Sequence, residues 1–232
     1  MVFFFGLELY DVDWKKVRAK VKGHPLFVFR NAVAFEYPES NGGFSWEDIN
    51  RADADDWGQA YLDNFYVTAQ QFDHVAVVAS AYKGFDDALA QWGTDRKVNQ
   101  RCGQTWLDTL DEVGKYYSQD SRLTGVQLVT WNDYEEGTEI ESGIENCVSV
   151  EAESNGSQLK WRINGNQDTI DHYAIYRATN GSDLEFLAEV SAEKHAVDIS
   201  SLKTEISPGI ALYVVAVGKP SMVNHISGAV KF

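Results

Sequence analysis

The chain has 232 residues, 44% of them hydrophobic and 24% charged, with no low-complexity tract, so it reads as one or two folded domains and not as a disordered segment. Its formal net charge of −15, from 20 Lys+Arg against 35 Asp+Glu, argues against nucleic acid or an anionic membrane surface as partner, because both need a basic face. No apolar run approaches the roughly 20 residues of a membrane span, and the opening MVFFFGLELYDVDW lacks the basic stretch and small-residue cleavage site of a signal peptide.

Taken in chain order, residues 1–146 alternate short apolar runs with longer amphipathic stretches, the pattern of βα units and a parallel sheet. The strand runs are Val2 to Phe5, Pro25 to Phe29, His74 to Ala79 and Val126 to Trp131; each is short and rich in β-branched or aromatic residues. Helices are expected over Asp13 to Val21, Trp46 to about Thr68, and Gly103 to Tyr117, where Trp106, Leu107, Leu110 and Val113 recur at helical spacing. Four strands amount to half of a (β/α)8 barrel, whose full form takes around 250 residues. The expected fold class is therefore α/β plus all-β: a partial (β/α)8 (TIM) barrel, second half only, over residues 1–146, with a β-sandwich behind it. An open parallel sheet would expose unpaired edges and an apolar face. Three readings follow: a truncated chain, a half-barrel completed as a homodimer, or an N-terminal barrel half supplied by another polypeptide.

Residues 147–232 switch to alternating strands with frequent turn signals: Val148 to Ala152, Gln158 to Ile163, His172 to Arg177, Leu184 to Val190, Ala196 to Ile199, Ile210 to Val217 and Ile226 to Phe232. Such a series suggests an immunoglobulin-like sandwich. Trp161 on the second strand and the Pro208-Gly209 turn before Ile210-x-Leu212-x-Val214-x-Ala216 make it similar to fibronectin type III, although Tyr213 is out of phase for a tyrosine corner. Asn155-Gly156-Ser157 and Asn180-Gly181-Ser182 match glycosylation sequons, but Asn-Gly is also a strong hairpin-turn dipeptide and is read here as a turn. Cys102 and Cys147 have no metal-site spacing, and the five histidines show no HxH or HExxH pattern, so neither a structural metal nor a cofactor is expected. A Cys102 to Cys147 bridge and a pair of reduced, half-buried thiols both remain open.

Chemistry concentrates in Thr130-Trp131-Asn132-Asp133-Tyr134-Glu135-Glu136-Gly137-Thr138-Glu139-Ile140-Glu141, where an apolar run ends in an acidic and aromatic loop. Barrel enzymes place catalytic residues at such strand ends. If strand geometry persists, Gln127, Val129, Trp131 and Asp133 face the barrel interior, while Val126, Leu128 and Thr130 face the helix layer. Glycoside hydrolysis needs one protonated and one ionised carboxyl, about 6.5–9.5 Å apart for inversion. Asp133 and Glu136 suit that range, and crowding by Glu135 would raise at least one pKa. The bland readings are a solvated acidic loop or a calcium site, since Asp133, Glu135, Glu136, Glu139, Glu141 and Glu145 cluster here. Tryptophan and tyrosine rings likewise either line sugar sites or fill the core.

The segment resembles the last-strand motif of glycoside hydrolase family 71, the fungal and bacterial endo-α-1,3-glucanases, in which TWNDY is followed by an acid. It is also similar to the Trp-Asn-Glu-x-x-Glu-Gly-Thr-x-Ile-Glu motif of family 99, the endo-α-mannosidases and mannanases. In both families the two catalytic carboxylates lie three apart in this motif, which here falls on Asp133 and Glu136. Asp rather than Glu at position 133 favours family 71. The likeness extends more loosely through Pro25 to Asn31, Gly43 to Trp46 and Ala81 to Asp86. It implies that Arg30, Asn31, Trp46, Tyr82, Lys83, Trp131, Asn132, Tyr134 and Glu135 line sugar subsites. The activity implied is an inverting endo-α-1,3-glucanase acting on an α-glucan polysaccharide or oligosaccharide, with Glu136 as general acid and Asp133 as general base. A substrate of that class implies an extracellular or periplasmic setting. The departure is the missing first half of the family's barrel. The alternatives are a family 99-like α-mannoside hydrolase and a non-catalytic carbohydrate-binding or assembly fragment with the sandwich as spacer.

Overall fold

The computed structural model describes residues 1–49, 57–119, 121, 123–179, 183–202 and 206–231. The chain forms two compact units, Met1–Gln100 with Thr105–Glu141, and Arg101–Gln104 with Ser142–Phe232. The second unit thus starts a few residues before the expected boundary and also takes in a short upstream segment. Cys102 and Cys147 are joined by a disulfide with a Cα–Cα distance of 5.3 Å. Asn166 holds the same segment, its Nδ2 donating to Cys102 O (3.2 Å) and Gln104 Oε1 (3.1 Å).

The first unit runs β1 (Val2–Phe4), α1 (Trp14–Lys20), β2 (Phe27–Arg30), α2 (Val33–Glu36), β3 (Gly42–Phe44), α3 (Gln59–Ala69), β4 (Ala76–Tyr82), the short pair β5 (Phe85–Asp86) and β6 (Lys97–Val98), α4 (Gln104–Tyr116) and β7 (Gly125–Val129). Five strands form a curled parallel sheet in the order β1-β2-β3-β4-β7, one strand more than the apolar runs predict. The extra strand, β3, is Gly42-Gly43-Phe44 and carries no β-forming run. Glycine is required there by its neighbours: a Cβ on Gly42 would lie 1.9 Å from Ala76 O, and one on Gly43 would lie 2.8 Å from the Phe35 ring.

Each face of the sheet buries its own cluster. Phe27 and Phe29 pack with Trp14 and Ala34, and Val77 and Ala79 pack with Leu62, Phe65 and Tyr66 of α3. On the other face Val28, Phe44 and Val78 meet Trp46, with the Phe3 and Phe5 rings edge-on to Phe44 at 5.3 and 4.9 Å. Val126 and Leu128 pair in register with Ala79 and Ala81, but they stay exposed, contrary to the covered position expected of them. The cause is topological, since β7 is the terminal strand and has only β4 beside it. Strand geometry also stops at Val129, so the inward alternation does not carry on to Asp133.

The second unit contains β8 (Ser149–Asn155), β9 (Gln158–Asn164), β10 (Ile170–Ala178), β11 (Leu184–Ser191), β12 (Ala196–Asp198), β13 (Ala211–Gly218), β14 (His225–Ile226) and β15 (Val230–Lys231). They form two antiparallel sheets, β12-β9-β8 and β11-β10-β13-β14, with β15 also on β13. One core joins them, built from alternate residues such as Leu159, Trp161 and Ile163 on β9 and Leu212, Val214 and Ala216 on β13. Asn155 pairs with Gln158 across a two-residue turn in which Gly156 takes φ +60°, as the hairpin reading requires. The second Asn-Gly pair, at 180–181, lies outside the described residues.

Candidate functional site

Because the five strands are parallel and adjacent, the segments leaving their C-terminal ends share one edge of the sheet. These are Asn31 after β2, Ser45 to Asp48 after β3, Lys83 after β4 and Thr130 to Glu141 after β7. The last loop is held by its own backbone. Thr130 N–H donates to Thr138 O (3.1 Å), and Ile140 N–H reaches Trp131 O (3.0 Å). The Thr130 and Thr138 hydroxyls lie 2.6 Å apart. Asp133 closes the tip: its N–H donates to Thr130 Oγ1 (3.2 Å), and its Oδ1 accepts from Glu136 N–H (3.0 Å). Glu136 O in turn accepts from Asp86 N–H at 2.8 Å. The carboxylate pair therefore sits on a braced turn, and one oxygen of Asp133 helps to build it.

Four carboxyl groups, Glu47, Asp87, Asp133 and Glu136, share an electrostatic field at this edge. Burial pushes the Glu136 carboxyl above its usual value, the charges of Asp133 and Asp87 add to the effect, and Arg96 opposes it. Glu47, which follows Trp46, is only 3% exposed, and neither of its oxygens has a hydrogen-bond partner. Burial, reinforced by the charges of Glu136 and then Asp133, holds Glu47 well above the carboxylate range. Asp87 behaves oppositely. Burial alone would raise it, but Arg96 Nε (2.7 Å) and the N–H groups of Arg96 (2.8 Å) and Thr94 (3.2 Å) hold it below the usual value. The site thus sets carboxyls of raised proton affinity, Glu136 and Glu47, near one of lowered affinity, Asp87, a spread that suits acid–base chemistry.

A cavity of about 450 Å³ opens at the same edge, lined by Glu8, Arg30, Asn31, Glu47, Asp48 and Tyr61 among others. The Tyr61 hydroxyl donates to Asn31 Oδ1 and accepts from Trp46 N–H, both at 2.9 Å, while Asn31 Nδ2 donates to Glu8 Oε1 at 2.9 Å. Burial pushes that hydroxyl up to about 12, so it stays a donor at any working pH.

No family model matches the chain, and no curated protein does.

The residues singled out from the sequence fall into three groups. Asp133 and Glu136 share the braced turn, and Arg30 and Asn31 share the cavity wall. Trp131, Asn132, Tyr134 and Glu135 are exposed around the turn, with the Tyr134 hydroxyl on Glu141 Oε2 at 3.3 Å. The remaining three turn inward. Tyr82 is buried with its hydroxyl donated to Trp57 O at 2.8 Å, Lys83 is buried against Glu139 at 2.8 Å, and Trp46 packs edge-on to Phe5 at 4.8 Å. Glu47, Asp87 and Arg96 were not anticipated. Glu47 follows directly on Trp46 past a strand end, the position rule that selected its neighbours; without knowledge of β3 the rule stopped one residue short. Asp87 and Arg96 carry no such signal, because they meet through the β5–β6 hairpin.

Proposed function

We propose that this chain is a glycoside hydrolase acting on an α-linked glucan, an inverting endo-α-1,3-glucanase in which Glu136 is the general acid and Asp133 the general base. The observation that carries the reading is the pairing of the two carboxyls on one braced turn, with burial and the Asp133 charge raising the proton affinity of Glu136. Glu136 would give its proton to the glycosidic oxygen as the bond to the anomeric carbon breaks. Asp133, with one oxygen fixed by Glu136 N–H, would take a proton on the other from the water that attacks that carbon. One water is consumed, and the two carboxyls return to their starting states by exchange with solvent.

The exposed Trp131 and Tyr134 rings offer flat apolar faces to the C–H surface of a pyranose. The TWNDY segment supplies the α-1,3-glucan assignment by its resemblance to family 71. The sequential parallel strand order supports descent from a (β/α)8 barrel, of which β1 to β4 and β7 would be five consecutive strands. A sheet of β12-β9-β8 facing one of β11-β10-β13-β14 supports the fibronectin type III-like reading of the second unit.

Asp133→Asn and Glu136→Gln should each lower release of reducing ends from α-1,3-glucan by at least about a hundredfold, the usual scale for one acid–base group. Undiminished hydrolysis by either variant removes the assignment, and release from α-mannan in place of α-glucan moves the chain to the mannoside reading.

A further inference from the structure

Glu47 is the group in this unit that its surroundings explain least. Buried polar groups are almost always hydrogen-bonded, yet both of its oxygens lack a partner while it sits in the wall of the cavity beside Arg30, Asn31 and Tyr61. A side chain in that state costs stability, a cost that a hydrogen-bonding partner arriving from outside would offset.

We propose that Glu47 is the donor of a sugar-hydroxyl subsite beside the carboxylate pair, binding one hydroxyl of an uncharged carbohydrate together with Asn31 and Tyr61. The chemical class follows from the wall. An anion would meet Glu8 and Asp48, whereas Arg30 on the same wall opposes a cation. Among the described residues no group of three His, Cys, Asp or Glu side chains is placed to hold a metal ion. A neutral polyhydroxyl ligand meets none of these penalties and supplies both donors and acceptors. Burial, with Glu136 and Asp133 behind it, raises Glu47 well above the carboxylate range and so favours the protonated form, which offers an O–H. The Tyr61 hydroxyl, already tied to Asn31 and to Trp46 N–H, presets the geometry around it.

The carbohydrate identity rests on the hydrolase reading, so the experiment separates the two. Affinity for an α-1,3-linked gluco-oligosaccharide is measured calorimetrically in the full chain carrying Glu136→Gln, which prevents turnover, with and without a change at Glu47. Glu47→Gln keeps a neutral donor and should bind within about threefold of its parent, whereas Glu47→Ala should bind about tenfold more weakly, the scale of one well-made hydrogen bond. Glu47→Met, similar in shape and apolar, should melt no lower than its parent, because it removes a buried unpaired group; a structural role would give the reverse. Binding by Glu47→Ala equal to the parent, or by Glu47→Gln as weak as Glu47→Ala, overturns the proposal. Tight binding by a wild-type chain that hydrolyses nothing sinks the hydrolase reading and leaves the subsite standing. A parent that binds no oligosaccharide sinks both.

Discussion

Lys83 sits where solvent hardly reaches. Its ammonium meets Glu139 Oε1 at 2.8 Å, with side-chain exposures of 4% and 17%. A buried pair of this kind adds little net stability compared with an apolar pair, but loss of one member strands the other. Lys83→Met should therefore destabilise the chain by about 3–5 kcal/mol in urea unfolding, and adding Glu139→Gln should recover most of that loss. A single variant as stable as the wild type would show that Glu139 finds another partner. The same residue marks where sequence reading of the site gives out. Asp133 and Glu136 stand out as candidates in the sequence because an acidic, aromatic, motif-like stretch follows an apolar run there. Lys83 and Tyr82 looked equally well placed past a strand end, yet both turn inward. Which way a side chain points at a strand terminus depends on the turn beyond it, and the burial of Glu47 is a tertiary matter that local spacing does not encode.

At the scale of elements the sheet depends on its least conspicuous member. β3 is three residues long and pairs with β2 on one side and β4 on the other, so it joins the β1–β2 pair to the β4–β7 pair. A methyl group on Gly42 would collide with the Ala76 carbonyl at 1.9 Å, and no side-chain rotation relieves a clash with backbone. Gly42→Ala is expected to cost about 3 kcal/mol or more, the upper end for forced overpacking, read as a lowered melting temperature by circular dichroism. A variant that melts like the wild type would mean that the β3–β4 pairing is not needed. This strand was hidden from the sequence because two glycines leave no apolar pattern. The other four strands showed as β-branched or aromatic runs, and α1 and α4 fell within a residue or two of their expected ends. In the second unit, period-two alternation located the strands, since Leu159, Trp161 and Ile163 are buried as it requires. The final expected strand divides into β14 and β15 at Ser227-Gly228, where Ser227 bonds Val214 through both its N–H and its hydroxyl. Val126 and Leu128 show the limit of periodicity: it assigns a face, but whether that face is covered is a tertiary matter.

For the molecule as a whole, acidity sets the stability profile. Thirty-five acidic residues face 20 Lys+Arg, and the few acids shifted by folding divide into two sets with opposite pH slopes. Asp63 is lowered to about 2 despite burial, by hydrogen bonds that include Lys115 and Tyr116; Asp86, hydrogen-bonded by Lys97, and Asp87, against Arg96, are lowered too. A carboxyl acidified by folding contributes stability above its unfolded value of 3.8, and that contribution disappears as pH falls through the folded value. Glu47, Glu136 and Glu112 are raised, mainly by burial. Here the folded state holds the proton more tightly, so the contribution is full below the ordinary value of 4.5 and is lost as pH rises. Repulsion within a chain of net charge −15 grows in the same direction. The melting temperature should peak in mildly acidic buffer, at about pH 5, and fall on either side. Glu47→Gln separates the two alkaline causes: it removes the strained ionisation but leaves the other acids in place, so its decline from pH 5 to 8 should be shallower than that of the wild type, with the acid limb unchanged. Parallel alkaline limbs would place the pH response in the general charge of the chain and show that Glu47 ionises at no special cost.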